Sequence, residues 1–213
     1  ALLEQARRGI RVRLLLDRLG SKNADEAFLR PLREAGAEIE FFHPYFFKRL
    51  WRPEINLRSH RKIVVIDGCI GFTGGINITD DENEAIRDDA YVDLHFRISG
   101  EIVRWLQLAF VADWLYAGGR FAADDRYFPA PSETAGPVTA QVLAAGPDTP
   151  FEPIHRAQVF AINAARKRVL LVTPYFVPSE SAMMALTSAA LRGVDTALVV
   201  PLRSDNLMVT LAA

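Results

Sequence analysis

Cysteine is almost absent from this chain: Cys69 is the single one among 213 residues. An internal disulfide is therefore excluded, and a reducing compartment fits this usage. Because Cys69 falls in an apolar run typical of a strand, we expect its thiol to be buried and unreactive.

Several other signals are missing. No apolar stretch approaches the roughly 20 residues of a membrane-spanning helix, and no signal peptide is visible. The formal net charge of −1 argues against a general nucleic-acid-binding surface. The sequence contains no Gly-x-Ser-x-Gly, no P-loop and no Gly-x-Gly-x-x-Gly ahead of a helix. The corresponding hydrolase, nucleotide and dinucleotide chemistries therefore lack support.

What the chain does have is hydrophobic content and one dense polar motif. Half of its residues are hydrophobic, which is enough for one sizeable domain or two small ones. Residues 62–66 are mostly β-branched and too few for a helix, so they predict a buried strand. Residues two apart on a strand share a face, and His60 and Lys62 therefore project the same way.

The motif continues through a predicted hairpin. Asp67 and Gly68 predict the tight turn. The second arm runs into Gly74 and Gly75, which permit close approach of a ligand to the backbone. Asn77 then adds an amide. One hairpin would thus present an imidazole, an ammonium, an amide and backbone N–H groups to a single point.

These groups suit a phosphodiester. A lysine neutralises non-bridging oxygens, and amide donors stabilise the charge that grows in the transition state. A histidine attacks phosphorus as a nucleophile or transfers a proton. The alternative interpretation is that His60 and Lys62 are surface residues without a function at an exposed strand end, and that Gly74-Gly75 is a plain turn.

The run resembles the signature of the phospholipase D superfamily, His-x-Lys-(x4)-Asp-(x6)-Gly-Gly-x-Asn, at every position. The flanking segments are similar to the bacterial cardiolipin synthase branch: Asn56–Lys62, Arg87–His95, Arg97–Gly100, Asp113-Trp114, Ala145–Asp148, Thr173–Pro178 and Arg192–Val194. The resemblance implies an α/β phospholipase D-like fold, a mixed β-sheet flanked by helices, with two pseudo-symmetric halves. It implies neither a metal nor another cofactor.

Under this resemblance the chain divides into three parts. Residues 1–116 form a truncated first half with the motif, and residues 117–150 form a connector with five prolines and four glycines. Residues 151–213 begin the second half, whose own His-x-Lys motif lies beyond the chain end. A weak internal repeat agrees: Gly9 and Gly193, 184 residues apart, each follow a helical segment and precede a strand-like one.

A histidine nucleophile needs an orienting partner on its other ring nitrogen. The resemblance gives this role to an acidic residue downstream of the motif, here Asp93, in the alternating run 91–95. Asp88 and Asp89 are alternatives. We expect Asp67 to brace the site through a salt bridge rather than to touch phosphorus.

A metal site built from His60, Asp93 and His95 is conceivable, but Lys62 would repel a cation. We therefore expect His95 to be a hydrogen-bonded structural residue.

Other candidate binding residues lie outside the motif. Residues 43–58 combine aromatic and basic side chains, which suits a loop on an anionic lipid surface or a loop packed on the core. Tyr175 and Phe176, at the end of a predicted strand, either line the substrate cleft or belong to the core. His43 and His155 have no convergent partners, so we expect them to be structural.

The resemblance implies a cardiolipin synthase-like phosphatidyltransferase. His60 would attack phosphatidylglycerol and form a phosphohistidine, while Lys62, Gly74, Gly75 and Asn77 hold the phosphoryl group. Two alternative functions stay open: a phospholipase D-type phosphodiesterase or nuclease, and a non-catalytic module that binds anionic lipid.

The same resemblance implies the binding partners and the cellular location of the protein. The expected partners are an anionic phospholipid and a membrane surface, with no nucleic acid. The second His-x-Lys motif would come from the C-terminal half of the same protein or, as the second choice, from a second copy of this chain. We expect a soluble segment, inactive alone, at the cytoplasmic face of a bacterial inner membrane.

Overall fold

A computed structural model describes the chain over residues 1–18, 20–42, 59–122, 124, 126–130, 136–146 and 149–201. The chain divides into two compact units, residues 1–142 and 143–213. The boundary falls inside the predicted connector at 117–150. The predicted lipid-facing loop at 43–58, with His43, lies outside the described residues.

The first unit alternates helices and strands. Its elements are α1 (Leu2–Arg7), β1 (Arg13–Asp17), α2 (Glu26–Glu34), β2 (Glu38–Phe42), β3 (Ile63–Ile66), β4 (Ile70–Gly74), a 3-10 turn (Asp80–Glu82), β5 (His95–Ser99) and α3 (Val103–Tyr116).

A parallel strand pair and the helix between its strands open this unit. β1 pairs with β2, and α2 connects them. The helix begins after Asp25, whose carboxylate accepts the Phe28 N–H at 2.8 Å. Leu29 of α2 is almost completely buried and anchors a small core with Ala6, Val12, Ala37 and Ile39. Burial of this apolar face stabilises the pair.

The motif lies in a separate antiparallel sheet with the order β3-β4-β5. Its register pairs Val65 with Gly71, and Gly71 with Ile98. Helix α3 covers the face that these residues share, because a Cβ on Gly71 would lie 2.9 Å from Leu106 Cδ1 of α3. Trp114 of α3 is buried as well. One face of the sheet is therefore fixed by a helix.

The second unit has the elements α4 (Pro153–Ala164), β6 (Arg168–Val172), α5 (Glu180–Leu191) and β7 (Asp195–Val199). β6 and β7 are parallel, and α5 connects them. Ser179 caps α5, since its Oγ accepts the Ala182 N–H at 3.2 Å.

Two glycines end helices in the same way, one in each unit. Gly9 follows α1 with φ 83°, and Gly193 follows α5 with φ 82°. The N–H of the residue after each glycine donates back to a helix carbonyl at 3.1 Å. The predicted helix–glycine–strand order is present at both places.

Two predicted strands differ from the observed ones. β6 ends at Val172, whereas the sequence predicts a strand over 168–175; Pro174 has no N–H for a strand ladder. β5 begins at His95, whereas the sequence predicts a strand from residue 91. The Asp93 side chain bonds to the Leu94 N–H there, and such local bonds compete with strand pairing.

Among the described residues, no helix is both long and apolar enough to cross a membrane.

Candidate functional site

The predicted hairpin joins β3 to β4. Asp67 and Gly68 have φ of 51° and 66°, and the Cys69 N–H donates to Ile66 O at 3.0 Å to close the turn. The salt bridge predicted for Asp67 does not form within the described residues. Cys69 is exposed, so the prediction of a buried thiol is wrong: the residue belongs to the turn and not to the strand.

Arg61 fixes the direction of its two neighbours. Its Nη1 lies 2.5 Å from Oδ1 of Asp113 on α3, and the Asp113 side chain is only 13% exposed. Arg61 therefore points to the helix-covered face. Alternate residues of an extended chain point to opposite faces, so His60 and Lys62 stand on the other face, where Val64 is 45% exposed.

His60 and Lys62 lie side by side at the start of β3. His60 is exposed and Lys62 is half-buried. The Lys62 Nζ donates to His60 O at 3.0 Å, which holds the ammonium beside the histidine main chain. The shared face of the two side chains stays a prediction from the alternation of an extended chain.

The glycine pair lies against the segment that leads into β5. The Gly75 N–H donates to Leu94 O at 2.9 Å, so this bond occupies a donor that the sequence analysis offers to a ligand. A Cβ on Gly75 would lie 2.0 Å from Asp93 Oδ2, and one on Gly74 would lie 2.9 Å from His95 Nδ1. The absence of a side chain at Gly75 leaves room for the Asp93 carboxylate. The absence of one at Gly74 leaves room for His95 and for the main chain at Leu94.

Asn77 is held by a carboxylate that the sequence analysis does not single out. Its Nδ2 and its backbone N–H donate to the two carboxylate oxygens of Glu82, both at 2.6 Å. A carboxamide nitrogen carries two hydrogens, so one remains for a ligand. The sequence signal for this contact is the acidic run after the motif, which by itself indicates only a solvated loop.

Asp93 does not contact His60. Its Oδ1 accepts the Leu94 N–H at 2.6 Å, and no hydrogen bond joins it to the imidazole within the described residues. The alternative Asp89 accepts two hydrogen bonds from Arg87, each at 2.8 Å. These bonds hold the pKa of Asp89 below its usual value. The orienting role of Asp93 stays a prediction.

Asn77 and Asp93 line one cavity of about 590 Å³, together with Glu82. His60 and Lys62 are not among its lining residues. The predicted site residues therefore form two groups, one on the face of β3 and one around the cavity. The glycine pair at the end of β4 connects the two groups.

The remaining histidine and tyrosine of the second unit lie in helix α4 and in the loop after β6. Tyr175 is 46% exposed, and its N–H donates to Thr173 Oγ1 at 3.3 Å; its part in a substrate cleft stays a prediction. The Nε2 of His155 lies 3.0 Å from Ser181 Oγ and 3.2 Å from Ser179 Oγ.

His95 differs from the expectation of a hydrogen-bonded residue. Its Nδ1 is buried without a hydrogen-bond partner in the described part of the chain. Across the same residues, no group of three or more His, Cys, Asp or Glu side chains is placed to hold a metal ion.

Comparison of the sequence with known proteins places this chain in a family. The family model described as cardiolipin synthase, PLD-like domain, matches residues 1–114. The cardiolipin synthase of Geobacillus kaustophilus is 41% identical over 100% of this chain, and that of Alkalihalophilus pseudofirmus is 39% identical over 98%. Cardiolipin synthase 1 of Bacillus cereus is 35% identical over 98%. This chain spans 42% of the length of each of these relatives.

Proposed function

This chain belongs to the family of cardiolipin synthases with a phospholipase D-like domain, and we propose that it supplies one of the two motifs of a phosphatidyltransferase. The substrate is an anionic phospholipid, phosphatidylglycerol, taken from the surface of a bacterial inner membrane. A second phosphatidylglycerol is the acceptor. The products are cardiolipin and glycerol.

The reaction exchanges one phosphate ester for another in two steps. His60 attacks phosphorus, the bond to glycerol breaks, and a second histidine gives the glycerol oxygen its proton. That histidine then takes the proton of the incoming hydroxyl, whose oxygen attacks phosphorus and releases His60. The second histidine belongs to a second His-x-Lys motif, which the family resemblance implies and which the sequence up to residue 213 does not contain.

The other motif residues stabilise the charge on the phosphoryl group and orient the imidazole of His60. Lys62 neutralises a non-bridging oxygen, and the second amide hydrogen of Asn77 donates to another. Asp93 turns from the Leu94 N–H to the imidazole of His60 when lipid binds, which fixes the nucleophile.

The observation that carries this proposal is the direction of the His-x-Lys pair. The ion pair between Arg61 and Asp113 turns Arg61 toward α3, which leaves His60 and Lys62 on the exposed face. A nucleophile and a cation need this access to a lipid phosphate, whereas a purely structural pair would gain from packing against the helix.

The matched glycine caps support a division into pseudo-symmetric halves. Gly9 and Gly193 have nearly equal φ and the same capping bonds. In this division residues 1–116 carry the first motif, residues 117–150 connect, and residues 151–213 begin the second half.

The test uses the full-length protein in phosphatidylglycerol vesicles with EDTA, and mass spectrometry identifies the products. Wild type is expected to release cardiolipin and glycerol, and His60→Ala is expected to lose at least about a thousandfold in rate because it lacks the nucleophile. His155→Ala is the matched control. This histidine lies in the second unit, and its side-chain hydrogen bonds within the described residues go to Ser179 and Ser181, so its removal should leave the rate near that of wild type.

The other outcomes separate the rival functions. Phosphatidic acid in place of cardiolipin would make the protein a hydrolase of the phospholipase D type. Vesicle binding without any lipid turnover would contradict the transferase and favour a lipid-binding module.

A further inference from the structure

The register of the sheet, extended by one residue before β3, brings Lys62 into line with His95. The register pairs Gly74 with His95, and Ile63 with Thr73. Continued by one residue past the end of this ladder, the register would bring Lys62 opposite Gly74. Paired residues of neighbouring strands share a face, so Lys62 and His95 stand on the same face with only a glycine between them.

The main chain of Leu94 and His95, together with the His95 ring, fills the space that a side chain at position 74 would need: a Cβ there would lie 2.2 Å from Leu94 O and 2.6 Å from His95 Cα. A Cβ on Gly74 would lie 2.9 Å from Nδ1, and this nitrogen is buried without a partner in the described residues. Because Nδ1 is buried against Gly74, Nε2 is the ring nitrogen that can meet a ligand.

The space between the two side chains suits a phosphate. Neighbouring strands are ~4.8 Å apart, so the Cα atoms of Lys62 and His95 are separated by ~10 Å. Both side chains rise from the sheet on either side of Gly74. Arg97, two residues along β5, stands on the same face and is exposed. An anion above Gly74 would therefore have an ammonium on one side and an imidazole on the other, with a guanidinium near.

We propose that His95 is a further phosphate-binding residue of this site. Its Nε2–H donates a hydrogen bond to a non-bridging oxygen of the phosphate whose charge Lys62 neutralises. This inference rests on the proposed function, since it assigns His95 to the same phosphate. His60 remains the nucleophile, and His95 forms no covalent bond.

The test is the affinity of the full-length protein for inorganic phosphate, measured by isothermal titration calorimetry without any lipid. His95→Ala is expected to weaken binding about tenfold, the loss of one hydrogen bond to a charged group. His95→Gln places an amide N–H close to the position of Nε2 and should restore most of the affinity. His95→Asn reaches only the position of Nδ1 and should not. His155→Ala is the control and should keep the wild-type affinity.

Three results would overturn the inference. The first is wild-type affinity in His95→Ala, which would leave the proposed function intact if His60→Ala still abolishes lipid turnover. The second is an equal loss in the Gln and Asn variants, which would indicate a packing role. The third is no phosphate binding by wild type, in which case the lipid products still decide the proposed function. Circular dichroism and thermal midpoints check folding, and if His95→Ala unfolds, the comparison of Gln with Asn decides.

Discussion

Gly75 is the residue at which the motif meets its predicted orienting carboxylate. A Cβ at this position would lie 2.0 Å and 2.2 Å from the two carboxylate oxygens of Asp93. Gly75 is not among the residues with positive φ, so an alanine could adopt its backbone conformation. The requirement for glycine is therefore steric, and the three atoms nearest to the added methyl group all belong to Asp93.

Gly75→Ala is expected to lower the free energy of unfolding by about 1–3 kcal/mol, because the added methyl group overlaps the Asp93 carboxylate. Urea denaturation measures this change. The double variant Gly75→Ala/Asp93→Ala removes the overlapping carboxylate, so its loss should be smaller than the sum of the two single losses. The matched control is Gly136→Ala, where a Cβ would meet nothing within 4 Å; its change should stay within about 0.5 kcal/mol. Additive losses in the double variant would contradict the steric explanation.

Helix α3 covers one face of the sheet and is joined to the segment before β3 by the ion pair of Asp113 with Arg61. Asp113 is a lone acidic residue in an otherwise largely apolar helix, and it is buried. A buried carboxylate needs a charged partner, and Arg61 supplies it from the strand that carries the motif. The helix therefore sets both the position of β3 and the direction of His60 and Lys62.

Asp113→Asn is expected to lower the free energy of unfolding by about 2 kcal/mol, between the values typical of exposed and buried ion pairs. It should also reduce lipid turnover by the full-length protein, because His60 and Lys62 lose their fixed direction. The chain offers a matched control in Asp195→Asn. Asp195 accepts from Arg168 at 2.7 Å in an ion pair whose side chains are 64% and 60% exposed, so the expected loss is at most about 0.5 kcal/mol. Equal losses from the two variants would mean that the pair of Arg61 and Asp113 does not support the hairpin.

The elements around the motif were predictable where the signal is local. Asp67-Gly68 between two apolar runs is sufficient for the hairpin, because two positive φ values are needed there and these residues tolerate them. Asp25 likewise marks the start of α2, since its side chain caps the helix.

The contacts that orient the site were not predictable in the same way. Asp113 lies 52 residues from Arg61, and nothing in either neighbourhood specifies the other. Glu82 is one of several carboxylates in an acidic run, and only the 3-10 turn at Asp80–Glu82 directs it to Asn77. The exposed position of Cys69 follows from the exact place where β4 begins, one residue later at Ile70, and strand ends are poorly determined by composition.

At the scale of the whole molecule, the net charge is close to zero, and the basic side chains that could bind a phosphate are gathered at one place. The formal net charge of −1 gives the chain no overall attraction to an anionic membrane. The proposed phosphate site instead gathers His60, Lys62, His95 and Arg97 on one face of one small sheet. Affinity for a lipid phosphate should therefore depend on this face and on its counterpart in the second half.

The chain of 213 residues, taken alone, is expected to release neither cardiolipin nor phosphatidic acid from phosphatidylglycerol vesicles. In the proposed mechanism its single His-x-Lys motif supplies the nucleophile but not the second histidine that protonates the leaving glycerol. The measurement compares this chain with the full-length protein at equal molar concentration, with the His60→Ala chain as the background control. Turnover by the chain that grows steeply with its concentration, and falls when His60→Ala copies are mixed in, would contradict this prediction. Two copies would then complete one site between them, and the second motif would not be needed.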